Sequence, residues 1–148
     1  PRVFEWAGSR PHSGAETTEI GIAHSGLAVL LGYRVTDRQV DYAEVTLKVG
    51  PQHLNRLSIP HGGVLATLLD SAAGFAVAFK DGPDNHRTVV TLSINSMFLG
   101  QARIGDTIVT RGRRIGGGNT IAYATAEATV DGKPIARAEA VFRYLGKA

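Results

Sequence analysis

No cysteine occurs among the 148 residues. That excludes disulfides, thiolate nucleophiles and thiolate metal sites, and it is compatible with a reducing cytosol, the expected location. Aromatic residues are few, at 7% with a single Trp, and no block of like charge appears; the net charge is +3. Nucleic-acid binding needs basic residues gathered in a stripe with stacking aromatics. The densest basic group, Arg111, Arg113 and Arg114, is too small for a duplex and suits a small polyphosphate instead. Pro1 to Arg10 has no apolar run, so a secretory signal is not expected. His12, His24, His53 and His86 fall at no metal-ligand spacing, so no metal site is expected. The apolar fraction of 43% and charged fraction of 20% are those of an ordinary globular domain long enough to bury one core.

One stretch stands out against this background. From His61 to Phe79 the chain reads HGGVLATLLDSAAGFAVAF, and Asp70 is its single carboxylate. Aspartate is rarely taken inside unless a partner or a task holds it there. Five alanines and this length favour a helix over a strand. The small residues and Asp70 favour a core helix over a membrane span. The stretch opens on Gly62 and Gly63, where bare backbone amides at a helix start can approach a ligand closely.

Punctuation along the rest of the chain sets the organisation. Pro1 to Thr18 has no clear period, so residues 1–19 read as a loose segment and 20–148 as a single domain. Ile20 to Leu31 has helical spacing and stops at Gly32. Tyr33 to Val49 reads as strand, with a turn expected at Asp37 to Gln39 and with Ala43, Val45, Leu47 and Val49 alternating with Glu44, Thr46 and Lys48. Gly50 to Pro60 is a loop, and Asp81 to Asn85 is another. Four strands are expected after it: Thr88 to Phe98, Thr107 to Ile115, Thr120 to Val130 and Pro134 to Leu145. Gly116 to Asn119 and Asp131-Gly132 serve as hairpin turns. A helix apolar nearly all round must be wrapped on most sides, so the expected class is α+β, with an antiparallel meander curled around one long central helix.

The string Asn55-Arg56-Leu57-Ser58-Ile59-Pro60-His61-Gly62-Gly63, with Val64, Leu65 and Asp70 in register, resembles the hotdog-fold acyl-CoA thioesterases of the PaaI-like, phenylacetic acid degradation type. The likeness runs from about Leu31 to Leu145 and includes Ala126-Glu127-Ala128, Asp131-Gly132-Lys133, Ile135-Ala136 and Ala138. Two departures are Ser58, where many relatives carry glycine, and Gly116, where some carry a lysine near coenzyme A. The resemblance implies hydrolysis of an aryl- or medium-chain acyl-CoA to free acid and coenzyme A. It implies no separate cofactor, coenzyme A being part of the substrate. It also implies a homodimer, often doubled to a homotetramer.

The chemistry such a reaction needs can be laid onto residues. The thioester oxygen gains negative charge and wants fixed donors. The resemblance gives that contact to Gly62, with Gly63 beside it, at the positive end of the helix. Asp70 is the expected general base or nucleophile. Gly62 and Asp70 lie about 12 Å apart along one helix axis, too far to share one thioester carbon. If both act, they come from different chains, and the dimer is part of the mechanism. Asn55 would orient water or hold the thioester, His61 would brace the turn or the substrate, and Thr91 aligns with a hydroxyl that positions water in some relatives. Arg114, Gly117, Gly118 and Asn119 are the expected coenzyme A contacts. A non-catalytic acyl-CoA-binding protein is the alternative. A hydratase ranks below it, because no Asp lies between Asn55 and Val64.

Overall fold

A computed structural model describes residues 25–79 and 87–146. The expected loose start, residues 20–24 of the first helix and the Asp81 to Asn85 loop lie outside them. The first element, α1, spans Gly26–Leu31; the Ser25 hydroxyl accepts from the Ala28 amide at 3.2 Å, and Gly32 closes it at φ 80°. Strands β1 (Arg34–Gln39) and β2 (Tyr42–Lys48) form a hairpin. Its turn falls at Val40-Asp41 rather than at Asp37 to Gln39. Asp41 takes φ 60°, which a short polar residue tolerates, while Asp37 sits beside a register shift and accepts from the Arg38 amide.

A 3-10 turn at Pro51–His53 leads to the central helix α2, Gly62–Ala78. Strands β3 (Val89–Phe98), β4 (Thr107–Gly117), β5 (Ile121–Val130) and β6 (Lys133–Tyr144) follow. All pairings are antiparallel, in the order β1-β2-β4-β5-β6-β3. The four-strand meander is therefore corrected. Only β4, β5 and β6 run in sequence, while β3 crosses to the far side of β6 and becomes an edge. The residues between β3 and β4 loop back, with Leu99 and Gly100 both bonded to Ile135 O.

The sheet curls over α2, and its inner face is built small. Ala122, Ala124, Ala126 and Ala128 of β5 and Ala136, Ala138 and Ala140 of β6 are all buried. Against them α2 buries Leu68, Leu69, Ala72, Ala73 and Val77. The closest approach is at Gly112 of β4, where a Cβ would overlap the Ala72 carbonyl. The far end of α2 is tied by the buried Tyr144 hydroxyl, which donates to Val77 O at 2.9 Å. Gly112→Ala is expected to cost about 2–3 kcal/mol through overpacking against helix backbone that cannot rotate away. A urea melt of the variant beside wild type reads this directly.

Candidate active site

The loop from Gly50 to His61 is held by its own polar groups. Asn55 Oδ1 accepts from the amides of Leu57 (2.8 Å) and Ile59 (3.4 Å), and Asn55 N–H donates to Ile59 O at 2.8 Å. The carbonyl end of the Asn55 side chain is thus spent on the loop, and its NH2 is the end left to meet a ligand. Ser58 adopts φ 59°, the left-handed conformation that glycine takes without strain. A glycine at 58 would take this conformation without a side-chain clash, so the departure from the expected pattern falls on backbone conformation and not on chemistry.

His61 caps α2. Its backbone is extended, at φ −60° and ψ 139°, and its Nδ1 accepts from the Gly63 amide at 2.8 Å. A Cβ on Gly63 would lie 3.0 Å from that Nδ1, so ring and glycine form one unit, and the Gly63 amide is not free for a ligand. Gly62 differs. Its N–H has no hydrogen-bond partner among the described residues. It does not adopt a positive φ, and a Cβ there would meet only the Phe98 ring at an ordinary 3.6 Å. Nothing among the described residues requires glycine at 62; what its absent side chain does is leave the amide approachable. Two clefts flank it. One of 340 Å³ is lined by Ile59, Leu65, Phe98 and Leu99 among others, and one of 680 Å³ by Arg56, Leu57 and His61.

Asp70 lies two turns further along α2, half-buried. Its Oδ1 accepts from the Thr91 hydroxyl at 2.7 Å, so the start of β3 delivers a donor to the one carboxylate of the helix. Thr91 sits beside the register shift between Thr91 and Ser93. Arg87, a conceivable structural partner of Asp70, goes elsewhere: it donates to Asn119 O at 2.8 Å and stacks on Tyr144. Asn55, His61 and Gly62 thus gather at one end of α2, and Asp70 and Thr91 gather nearer its middle.

The basic cluster splits. Arg111 pairs with Glu44 at 3.2 Å, and Arg113 stacks on Tyr42. Both border a cleft lined also by Glu127, Arg137 and Glu139, on the sheet face away from α2. Arg114 lies between Asp41 (3.8 Å) and Gly118 O (3.5 Å). In the β4–β5 turn, Gly118 N–H is bonded to Ile121 O, and Gly117 takes φ 108° with no room for a Cβ. Gly118 N–H is thus engaged within the turn, Asn119 O is taken by Arg87, and glycine at 117 is explained by conformation alone. His53, which the sequence leaves without a role, is buried with both ring nitrogens bonded. The signal that marks it is its place two residues before Asn55. No metal-holding cluster and no helix long and apolar enough to cross a membrane occurs among the described residues.

With this geometry in view, comparison with known proteins defines the class. The model of the thioesterase superfamily matches residues 57–135, and the chain belongs to that superfamily. It is 34% identical over 98 residues to a Pseudomonas aeruginosa protein provisionally named an esterase, covering 66% of this chain and 72% of that one. It is 33% identical over 93 residues to mouse acyl-coenzyme A thioesterase 13, covering 62% of this chain and 64% of that one. The solved structure of the E. coli PaaI protein, from the phenylacetic acid degradation operon, superposes with a TM-score of 0.76 at 23% identity, over 84% of this chain and 87% of that one. The fold is the hotdog fold. His61→Ala should lower stability by about 1 kcal/mol through loss of the α2 cap, and His61→Asn should retain most of it; thermal melts of the two variants check this.

Proposed function

We propose that the protein hydrolyses acyl-CoA thioesters with an aryl or medium-length acyl group to a free acid and coenzyme A. The observation that carries this is the unpartnered Gly62 amide at the N-terminus of α2, in a chain whose one helix carboxylate, Asp70, is held by Thr91. The amide and the helix dipole suit the charge that grows on the thioester oxygen. Asp70 takes a proton from water, whose oxygen attacks the thioester carbon; collapse then breaks the C–S bond, and the leaving sulfur takes that proton back from Asp70 and departs as the thiol. Direct attack by Asp70 would instead give an anhydride that water opens. Asn55 supplies its amide NH2 to the substrate or water, and the cleft where Leu65, Phe98 and Leu99 stand beside Asn55 and Gln101 is the proposed acyl site. Arg114 and the Gly117-Gly118-Asn119 turn are the proposed coenzyme A contacts on the family pattern.

The two halves of the site come from different chains in this reading. Strand β3 is an edge, and along it Leu92, Met97 and Phe98 are exposed at 55%, 63% and 52%. Its start reaches Asp70 through Thr91, and its end reaches Gly62 through Phe98. Antiparallel pairing of two β3 edges about a two-fold axis brings the Asp70 end of one chain beside the Gly62 end of its partner, and it forms two equal sites. Pairing of two such dimers gives the proposed tetramer.

Thiol release from a panel of aryl- and aliphatic acyl-CoA esters should be readily measured for wild type and fall at least about a hundredfold in Asp70→Asn. A wild-type protein that binds acyl-CoA and releases no thiol overturns the enzyme reading in favour of an acyl-CoA-binding protein. The shared site has its own test. Gly62→Pro removes the N–H at the first helical position, where proline is well tolerated. His61 already has the extended conformation a following proline prefers. Gly62→Pro and Asp70→Asn are each expected to be inactive alone, whereas co-expressed in equal amounts they should regain about a quarter of wild-type activity through mixed dimers. No recovery in verified mixed dimers places both groups in one chain.

A further inference from the structure

His53 is only 1% exposed, and none of its hydrogen bonds goes to Gly62 or Asp70. Its Nδ1 accepts from Gly50 N–H at 2.9 Å. Its Nε2 lies 2.7 Å from Leu31 O, the carbonyl at the end of α1. An amide only donates and a carbonyl only accepts, so the ring carries its proton on Nε2 and a bare lone pair on Nδ1. The backbone of the same residue continues the chain of bonds. His53 C=O accepts His61 N–H at 2.8 Å, and the His61 ring holds Gly63 N–H at 2.8 Å. The Gly62 amide lies between those two anchored amides. Leu54 and Pro60 bridge across the base of the same loop.

We infer that His53 is a positioning residue: its Nδ1, by holding the Gly50 amide, closes the 3-10 turn Pro51–His53 and fixes the His53 carbonyl, which holds His61 and so aims the Gly62 amide at the reacting oxygen, while the Leu31 bond sets only the ring's tautomer. The inference rests on the proposed role of Gly62. An oxyanion donor acts only if it is held at hydrogen-bond distance from where charge develops, and loosening its support costs rate without weakening substrate binding. A histidine serving stability alone would lower the folded fraction and leave the kcat of folded molecules unchanged.

The two ring bonds can be separated. In His53→Asn the side-chain oxygen replaces Nδ1 and keeps the Gly50 bond. In His53→Gln the amide nitrogen replaces Nε2 and keeps the Leu31 bond, while His53→Leu loses both. Per folded molecule, kcat is expected to fall about tenfold or more in the Gln and Leu variants, with KM within about twofold, and to return to within about threefold of wild type in the Asn variant. Amide exchange at His61 to Gly63 should speed up in the same two variants and not in Asn. Should the Leu variant fail to fold, the Asn and Gln pair decides alone. Unchanged kcat in folded Gln variant, or a rise in KM at constant kcat, overturns the inference. If wild type hydrolyses no acyl-CoA, the hydrolase reading has failed by itself. The exchange data then still decide whether His53 orders the α2 start, since unaltered exchange in the Gln variant refutes that.

Discussion

Everything in this molecule depends on how closely one apolar helix approaches one sheet. α2 carries buried side chains on several sides, so the sheet must curl to cover it. Curling is possible only where the inner surface is shallow. The alanines of β5 and β6 make that surface, and Gly112 lets β4 come within contact of the helix backbone at Ala72. Larger side chains there would hold the layers apart and flatten the wrap. The small inner face is thus a packing requirement, and it fixes α2 as a rigid rod against which the functional groups are placed.

A rod has two ends and a middle, and the site uses them differently. The N-terminus presents an unpaired amide and the favourable end of the helix dipole, and the middle presents a carboxylate held by a hydroxyl from β3. Within one chain these features are separated along the axis. The same chain leaves β3 with one unpaired edge and several exposed apolar side chains. An unfilled edge and a divided site have a common solution in a second copy, and this is why assembly and chemistry are linked in the proposed mechanism.

The His-Gly-Gly string has a different physical reason at each position. His61 ends the loop in an extended conformation and caps the helix with its ring; Gly63 has no side chain because that ring lies over it; Gly62 has none although no neighbour among the described residues demands it. Only the last leaves an amide unengaged among the described residues, and that amide is the proposed oxyanion contact. A motif that looks uniform in sequence therefore divides into two residues that build the turn and one that the turn presents.

The hydrophobic period and the glycine and proline punctuation were sufficient to place α2 and five strands within a residue or two. They also set Ala43, Val45 and Leu47 of β2, with Val49 just beyond it, on one face, and all four are buried, because alternation is a local property of backbone and side chain. The register of Asn55, His61, Gly62, Gly63 and Asp70 was equally visible, since all lie on one loop and one helix. Sequence alone misplaced the β1–β2 turn, because the left-handed conformation passed to Asp41 while Asp37 went to a register shift. It could not order the sheet, because whether β3 pairs with β4 or crosses to β6 is a long-range choice. That choice brings Thr91 to Asp70 and leaves β3 on the edge. Nor could spacing show that Arg111 and Arg113 face away from Arg114, or that His53 is buried between two backbone groups that precede it by 22 and by 3 residues. Local chemistry determined which groups were available; tertiary structure decided which of them meet, because a meeting depends on strand order and register that no short stretch of chain encodes.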